Sequence, residues 1–188
     1  IDAGDTFDLA ISNASAIDDW IKGGMIVAAT RAAVAYAGLG VGVRAGAPKP
    51  DIGSVEASRR ALLNAKSVAH GTEGASAAYF KGLLERLGIA EEMKPKLKPM
   101  ATATAGLKSV ASGELEFVVA FVPTIVAAPG VELAGPFPSE LQTYTSFTAG
   151  VGTGAKEPEA AQALIKFLTS PAAVAVIKAK GMEPGTPR

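Results

Sequence analysis

Apolar residues along this chain come in short blocks separated by glycine, proline and polar residues. The run Phe-Asp-Leu-Ala-Ile-Ser over 7–12 has a polar end and predicts a buried strand emerging into a loop at Asn13 and Ala14. Ser15 stands where a helix cap is needed, Asp18 follows three positions later, and the helix runs to about Lys22 before Gly23 and Gly24 stop it. Residues 39–44 alternate small and apolar side chains and predict a strand whose glycines let another backbone approach closely. Residues 45–50 (Ala-Gly-Ala-Pro-Lys-Pro) break that pattern and read as a linker. Further helices are predicted from Ser54 to about Asn64, over 75–87 with Gly88 as its stop, and from Thr102 or Thr104 to Ser112 and Gly113. The last two begin near Pro158 and at Pro171, the latter ending at Gly181. Strands are predicted at 67–70, 117–121, 131–133 and 144–151, with an extended segment at 94–100. Strands and helices alternate, which argues for α/β layering with largely parallel sheets.

The chain has 188 residues, enough for one ordinary domain or two small lobes with a sizeable core. Hydrophobic residues make up 48% and charged residues 19%, the balance of a globular chain. Lysine plus arginine and aspartate plus glutamate each number 18, so no net charge draws it toward nucleic acid or an anionic membrane. The densest basic stretch, Lys94, Lys96 and Lys98, reads as a solvated loop. With no cysteine, disulfides, thiolate metal sites and cysteine nucleophiles are excluded. No apolar run approaches the ~20 residues that span a bilayer. The opening Ile-Asp-Ala-Gly-Asp looks like the tail of a helix and a turn, so the chain is expected to begin inside a larger protein.

Catalytic motifs are weak. The single histidine, His70, cannot form a multi-histidine metal site and reads as structural. No Gly-x-Ser-x-Gly and no phosphate-loop motif occurs, and the glycines at 38, 40 and 42 lie within a strand instead of between strand and helix. Asp18 with Asp19, and Glu91 with Glu92, are sequence neighbours that diverge on a helix and read as solvated charges. Three polar loop-to-helix junctions stand out instead: 12–15 (Ser-Asn-Ala-Ser), 71–76 (Gly-Thr-Glu-Gly-Ala-Ser) and 101–104 (Ala-Thr-Ala-Thr). Each offers hydroxyls and first-turn amides to an anion, and each alone is also what an ordinary helix cap looks like.

Several segments resemble the molybdate-binding group of type 2 periplasmic binding proteins. They are Phe-Asp-Leu-Ala-Ile-Ser-Asn at 7–13, Val-Gly-Val-Arg-Ala-Gly-Ala-Pro at 41–48 and Gly-Ala-Ser-Ala-Ala-Tyr-Phe at 74–80. Leu-Glu-Arg-Leu-Gly-Ile at 84–89, Leu-Gln-Thr-Tyr-Thr at 141–145 and Phe-Leu-Thr-Ser-Pro-Ala-Ala at 167–173 complete the set. The resemblance implies a two-lobed α/β fold of mixed sheets flanked by helices, with the family's first strand and helices of lobe 1 absent. Lobe 1 would be 1–46 plus 144–188 and lobe 2 would be 47–143, with hinges near 43–48 and 143–148. The crossing strands, 39–44 and 144–151, would lie side by side.

The family's anion contacts map to Asn13, Ser76, Ala103 and Phe121, and two others would precede Ile1. Phe121 departs from the pattern, because molybdate binders commonly place a tyrosine hydroxyl there. One missing donor to a buried anion costs about 1–3 kcal/mol, which brings an organic acid into competition with an oxyanion. The resemblance thus implies a monomeric, exported periplasmic protein that captures a small oxyanion or carboxylate for the membrane permease of an ABC importer. It would need no cofactor, no metal and no nucleic acid. An isomerase of a small tricarboxylate, of the aconitate isomerase kind, is the alternative on the same scaffold. Glu73 or His70 would then be its base.

Overall fold

The computed structural model describes residues 6–185, so the opening pentapeptide lies outside the described residues. In chain order the elements begin with β1 (Leu9–Asn13), α1 (Ala14–Lys22), β2 (Ala32–Ala37), β3 (Leu39–Arg44), α2 (Val55–Asn64), β4 (Val68–Gly71) and α3 (Gly74–Arg86). There follow α4 (Ala90–Met93), β5 (Leu97–Met100), α5 (Ala103–Ala111), β6 (Phe117–Phe121), α6 (Val122–Val126) and β7 (Val131–Pro136). The chain ends with β8 (Thr145–Val151), α7 (Pro158–Leu168), α8 (Pro171–Ala179) and β9 (Glu183–Pro184). It divides into two units, Ile1–Ala37 with Thr145–Arg188, and Gly38–Tyr144.

The first unit is built on an antiparallel sheet of order β1-β8-β2-β9. Alternation along β8 sends Ala149 and Val151 into a cluster with Val34, Ala161, Ile165, Ala173 and Ile177, which is the face covered by α7 and α8. On the other face Ala10, Ile17 and Ile26 pack together, with Trp20 and Ile21 against them. Gly150 is required there, because a Cβ would lie 2.5 Å from the Ile26 side chain. Asp18 on α1 is gripped by Arg31 through two bonds of 2.6 and 3.2 Å, which tie that helix to the segment entering β2. The guanidinium holds the Asp18 carboxyl below its ordinary range.

The second unit is a three-layer sandwich around a sheet of order β5-β4-β6-β3-β7. β4 runs parallel to β5 and β6, while β3 runs antiparallel to β6 and β7. Residues of β6 alternate between layers: Phe117 and Val119 join Leu39, Val41, Val43, Phe80 and Leu83 beneath α2, α3 and α4. Val118 and Ala120 join Leu107, Val110 and Ile125 beneath α5 and α6. The glycines of β3 serve this second layer. A Cβ at Gly40 would lie 2.8 Å from the Gly135 carbonyl, and one at Gly42 would lie 2.8 Å from Val118. Close backbone approach at this strand is therefore met as the sequence predicts.

Four expectations need correction. Among the described residues, parallel pairing occurs only between β4 and its neighbours β5 and β6; the ladders β1–β8, β2–β8, β2–β9, β3–β6 and β3–β7 are antiparallel. The strand beside β8 is β2, and β3 lies in the other sheet, so the predicted pairing of 39–44 with 144–151 does not occur. The first boundary falls at 37/38 and not at 46/47, because β3 pairs with β6 and β7 inside the second unit. The Ala45–Pro48 segment is accordingly a turn within that unit, with the Ala47 amide bonded to the Arg44 carbonyl and Glu132 bridging to Lys49 and the Gly46 amide. Lastly, the lysine-rich stretch is not simply solvated: Lys94 pairs with Glu91, and the Lys96 ammonium bonds the Leu63 carbonyl.

Candidate functional site

Within the second unit the parallel strands β4, β5 and β6 all end at one edge of the sheet, and a helix starts directly beyond each. In open α/β sheets this carboxyl edge is where ligands gather. Ser76 is the third residue of α3, Ala103 the first of α5, and Phe121 closes β6 and precedes α6. Three of the four predicted contact residues thus share one edge of one sheet. The loops after β4 and β5 are stitched together there, with the Thr72 amide donating to the Met100 carbonyl at 3.0 Å. A Cβ on Gly71 would lie 4.0 Å from the Ala103 amide nitrogen, so the two junctions are near neighbours.

The three junctions differ in how their donors are used. At the third, Thr102 accepts the Ala105 amide at 3.1 Å and is the cap, as one of its two predicted candidates. Ala103 has no polar side chain and offers only its backbone amide. At the second, Glu73 sits in the cap position of α3 but makes no side-chain capping bond. The first-turn amides of Gly74, Ala75 and Ser76 therefore have no side-chain cap, and Ser76 in that turn is half-buried. Tyr79 lies three residues further along the same side of α3, and its ring meets Phe121 edge-on with centroids 6.2 Å apart. Sequence reading passed over Tyr79; its spacing from Ser76 is the signal that points to it.

Asn13 belongs to the first unit. It, and not Ser15, is the cap of α1: its Oδ1 accepts the Ala16 amide at 2.9 Å and the Ser15 hydroxyl at 2.7 Å. That oxygen is occupied, so what Asn13 retains for a ligand is its amide NH2 group.

His70 lies near the end of β4, just before the second junction. Its Nδ1 bonds the Gly71 carbonyl at 2.8 Å and its ring tilts against Phe80, 5.7 Å between centroids. A carbonyl partner makes Nδ1 the N–H donor. The ring lines an open depression of about 430 Å³ with Ala77, Lys81, Leu84 and Leu97. Gly71, Thr72, Gly74 and Phe80 line it too; at 100° per residue Phe80 lies only 40° around α3 from Ser76, so the depression reaches the start of the helix. Among the described residues no group of histidine, cysteine and carboxylates could hold a metal ion.

A profile of the bacterial extracellular solute-binding protein family matches residues 1–183. The chain belongs to that family. Its fold is the type 2, molybdate-binding-protein-like one. A substrate-binding domain assigned to a molybdenum ABC transporter from Clostridium difficile superposes with a TM-score of 0.82 at 18% identity, covering 97% of this chain and 79% of that one. The periplasmic molybdate-binding protein of Azotobacter vinelandii gives 0.74 at 17% identity, with coverages of 99% and 81%. In sequence, an aconitate isomerase from Pseudomonas sp is 29% identical over 178 residues, which are 94% of this chain and 67% of that protein. Members of this family that serve ABC transporters deliver small ligands to membrane permeases.

Proposed function

We propose that this solute-binding protein captures a small anion, an oxyanion or a carboxylate, and delivers it to the permease of an ABC importer. It would work in the periplasm as a monomer, with Asn13, Ser76, Ala103 and Phe121 contributing to the ligand contacts. The observation that carries the reading is the open start of α3 beside the start of α5 on one sheet edge. Amides and a hydroxyl supply donors, and the helix end supplies partial positive charge, with no formal cation in the set. Such a site holds a charge without an ion pair, which suits a protein that must release its cargo.

The likeness to an aconitate isomerase supports a second reading, in which a tricarboxylate is both bound and turned over. Proton transfer at carbon needs a base within hydrogen-bond reach. His70, which shares a depression with Gly71, Thr72 and Gly74, and the exposed Glu73 are the two candidates for that base.

Thermal-shift and calorimetric titration with molybdate, tungstate, sulfate, cis-aconitate and trans-aconitate tests both. A ligand at a hundred times its Kd adds about 2.7 kcal/mol to the native state and raises the melting point. Failure of every one of these anions to bind removes the proposal. Interconversion of the two aconitates, followed by proton NMR, replaces pure binding with the isomerase reading.

A further inference from the structure

Gln142 lies only two residues before the chain returns to the first unit, and its side chain reaches back to the other passage between the units. We propose that Gln142 is a positioning residue that clamps both passages to the second unit, leaving backbone rotation between units to the links at 37/38 and 144/145. The proposal goes beyond the reading of the ligand and does not depend on which anion is bound.

The clamp is made at Leu39. Its amide donates to Gln142 Oε1 at 2.7 Å, and Gln142 Nε2 donates to the Leu39 carbonyl at 2.8 Å and to the Phe137 carbonyl at 3.2 Å. The side-chain amide has only one workable orientation, since turning it over would set its NH2 against the Leu39 N–H and its oxygen against two carbonyls. The neighbouring groups are tied as well. Gly38 O accepts the Val122 amide at 2.9 Å, and the Leu39 carbonyl also receives the Phe137 amide at 3.1 Å. On the return passage the Leu141 amide bonds Pro138 O at 2.9 Å, and Arg86 of α3 donates to the Leu141 carbonyl. Bonds on both passages thus reach to 38–39 and 141–142, immediately inside the boundaries of the unit.

Gly38 makes the clamp possible. A Cβ there would lie 2.6 Å from the Gln142 amide carbon, 2.8 Å from its nitrogen and 2.9 Å from its oxygen. No backbone atom is among those three closest neighbours, so a side chain at 38 is excluded chiefly by Gln142. The glycine and the glutamine, far apart in sequence, should act as one unit.

A double-mutant cycle in the intact protein tests this, with Gly38→Ala, Gln142→Ala and the double variant compared by urea unfolding and by amide hydrogen exchange. Gln142→Ala is expected to raise exchange at Leu39 about tenfold, the size of one lost bond, while amides in β4 and β6 hold their rates. Gly38→Ala alone should do the same by expelling the glutamine. The double variant should be no less stable than Gln142→Ala, because the clash has no partner left. Additive losses in the cycle, or an unchanged Leu39 rate in Gln142→Ala, would overturn the clamp. Should either variant fail to fold, the parent protein still decides: Leu39 must exchange as slowly as the amides of β3, and exchange at the rate of an open loop refutes the proposal.

Discussion

Ser76 is the residue on which the binding proposal turns most sharply. Its helix start has no side-chain cap, which leaves the first-turn amides as donors at that end, and Ser76 adds a hydroxyl in the same turn. Replacing Ser76 with alanine removes one donor and leaves the amides. Affinity should fall by about 1–3 kcal/mol, about five- to 150-fold, with little change in stability. Ser76→Asp should bind more weakly still, since it puts negative charge where the ligand's charge belongs. Calorimetric titration with whichever of molybdate or aconitate binds the parent protein reads both variants. Undiminished affinity in Ser76→Asp would move the site away from α3. Phe121 bears on the same question from the apolar side. Its ring turns an edge toward Tyr79 in the arrangement aromatic pairs prefer, and it offers no hydroxyl. Under the proposed reading, an anion beside Phe121 would meet a carbon surface there, which would favour a carboxylate with a hydrocarbon body over a tetrahedral oxyanion.

Among the elements, α1 depends on a charge contact that pH can switch. Arg31 lowers the Asp18 carboxyl relative to its unfolded value, so the pair favours the native state once pH exceeds that value, about 4. The contribution disappears as pH falls through the still lower folded value. The difference in urea midpoint between parent and Asp18→Asn should be constant above about pH 5 and shrink progressively as pH falls below about 4. Both groups are partly exposed, so added salt should shrink it. A gap independent of pH would mean that Asp18 acts only through packing or hydrogen bonding. The same region shows where sequence reading stopped. Strand β2 is Ala-Ala-Val-Ala-Tyr-Ala, and alanine carries little strand preference, so nothing in its composition announces a strand. Its strand character comes from pairing with β8, which is a long-range fact. Missing it left β3 as the nearest candidate partner for β8, and the predicted adjacency failed for that reason. Elements with their own punctuation were legible: Ser54 accepts the Ala57 amide at the start of α2, and Gly88 takes φ +66° just past α3. The site was legible in its junctions but not in its grouping. The family resemblance points to Ser76, Ala103 and Phe121, and only the parallel order β5-β4-β6 brings their strand ends to one edge.

At the scale of the molecule the two units are built differently. The second is one continuous segment that supplies every strand of its own sheet and both of its core layers. Residues 38–144 alone should therefore fold and unfold cooperatively. The first unit is assembled from two segments, and its central pair β2–β8 is closed only through the whole of the second. Yet Ala37 stands opposite Thr145 in antiparallel register, the arrangement found on either side of a tight hairpin turn. Replacing 38–144 with Asn-Gly should turn β2 and β8 into a hairpin, since that dipeptide favours the two-residue turn whose twist matches antiparallel strands. The cluster of Val34, Ala149, Val151, Ala161, Ile165, Ala173 and Ile177 would be retained, because none of its members comes from the excised segment. Shortening the loop by so much also lowers its closure entropy, which favours the excised form. Circular dichroism and urea unfolding of both pieces measure the outcome. Two cooperative transitions are expected, whereas a piece that binds a hydrophobic dye and melts without a transition would show that its core is completed by the other unit.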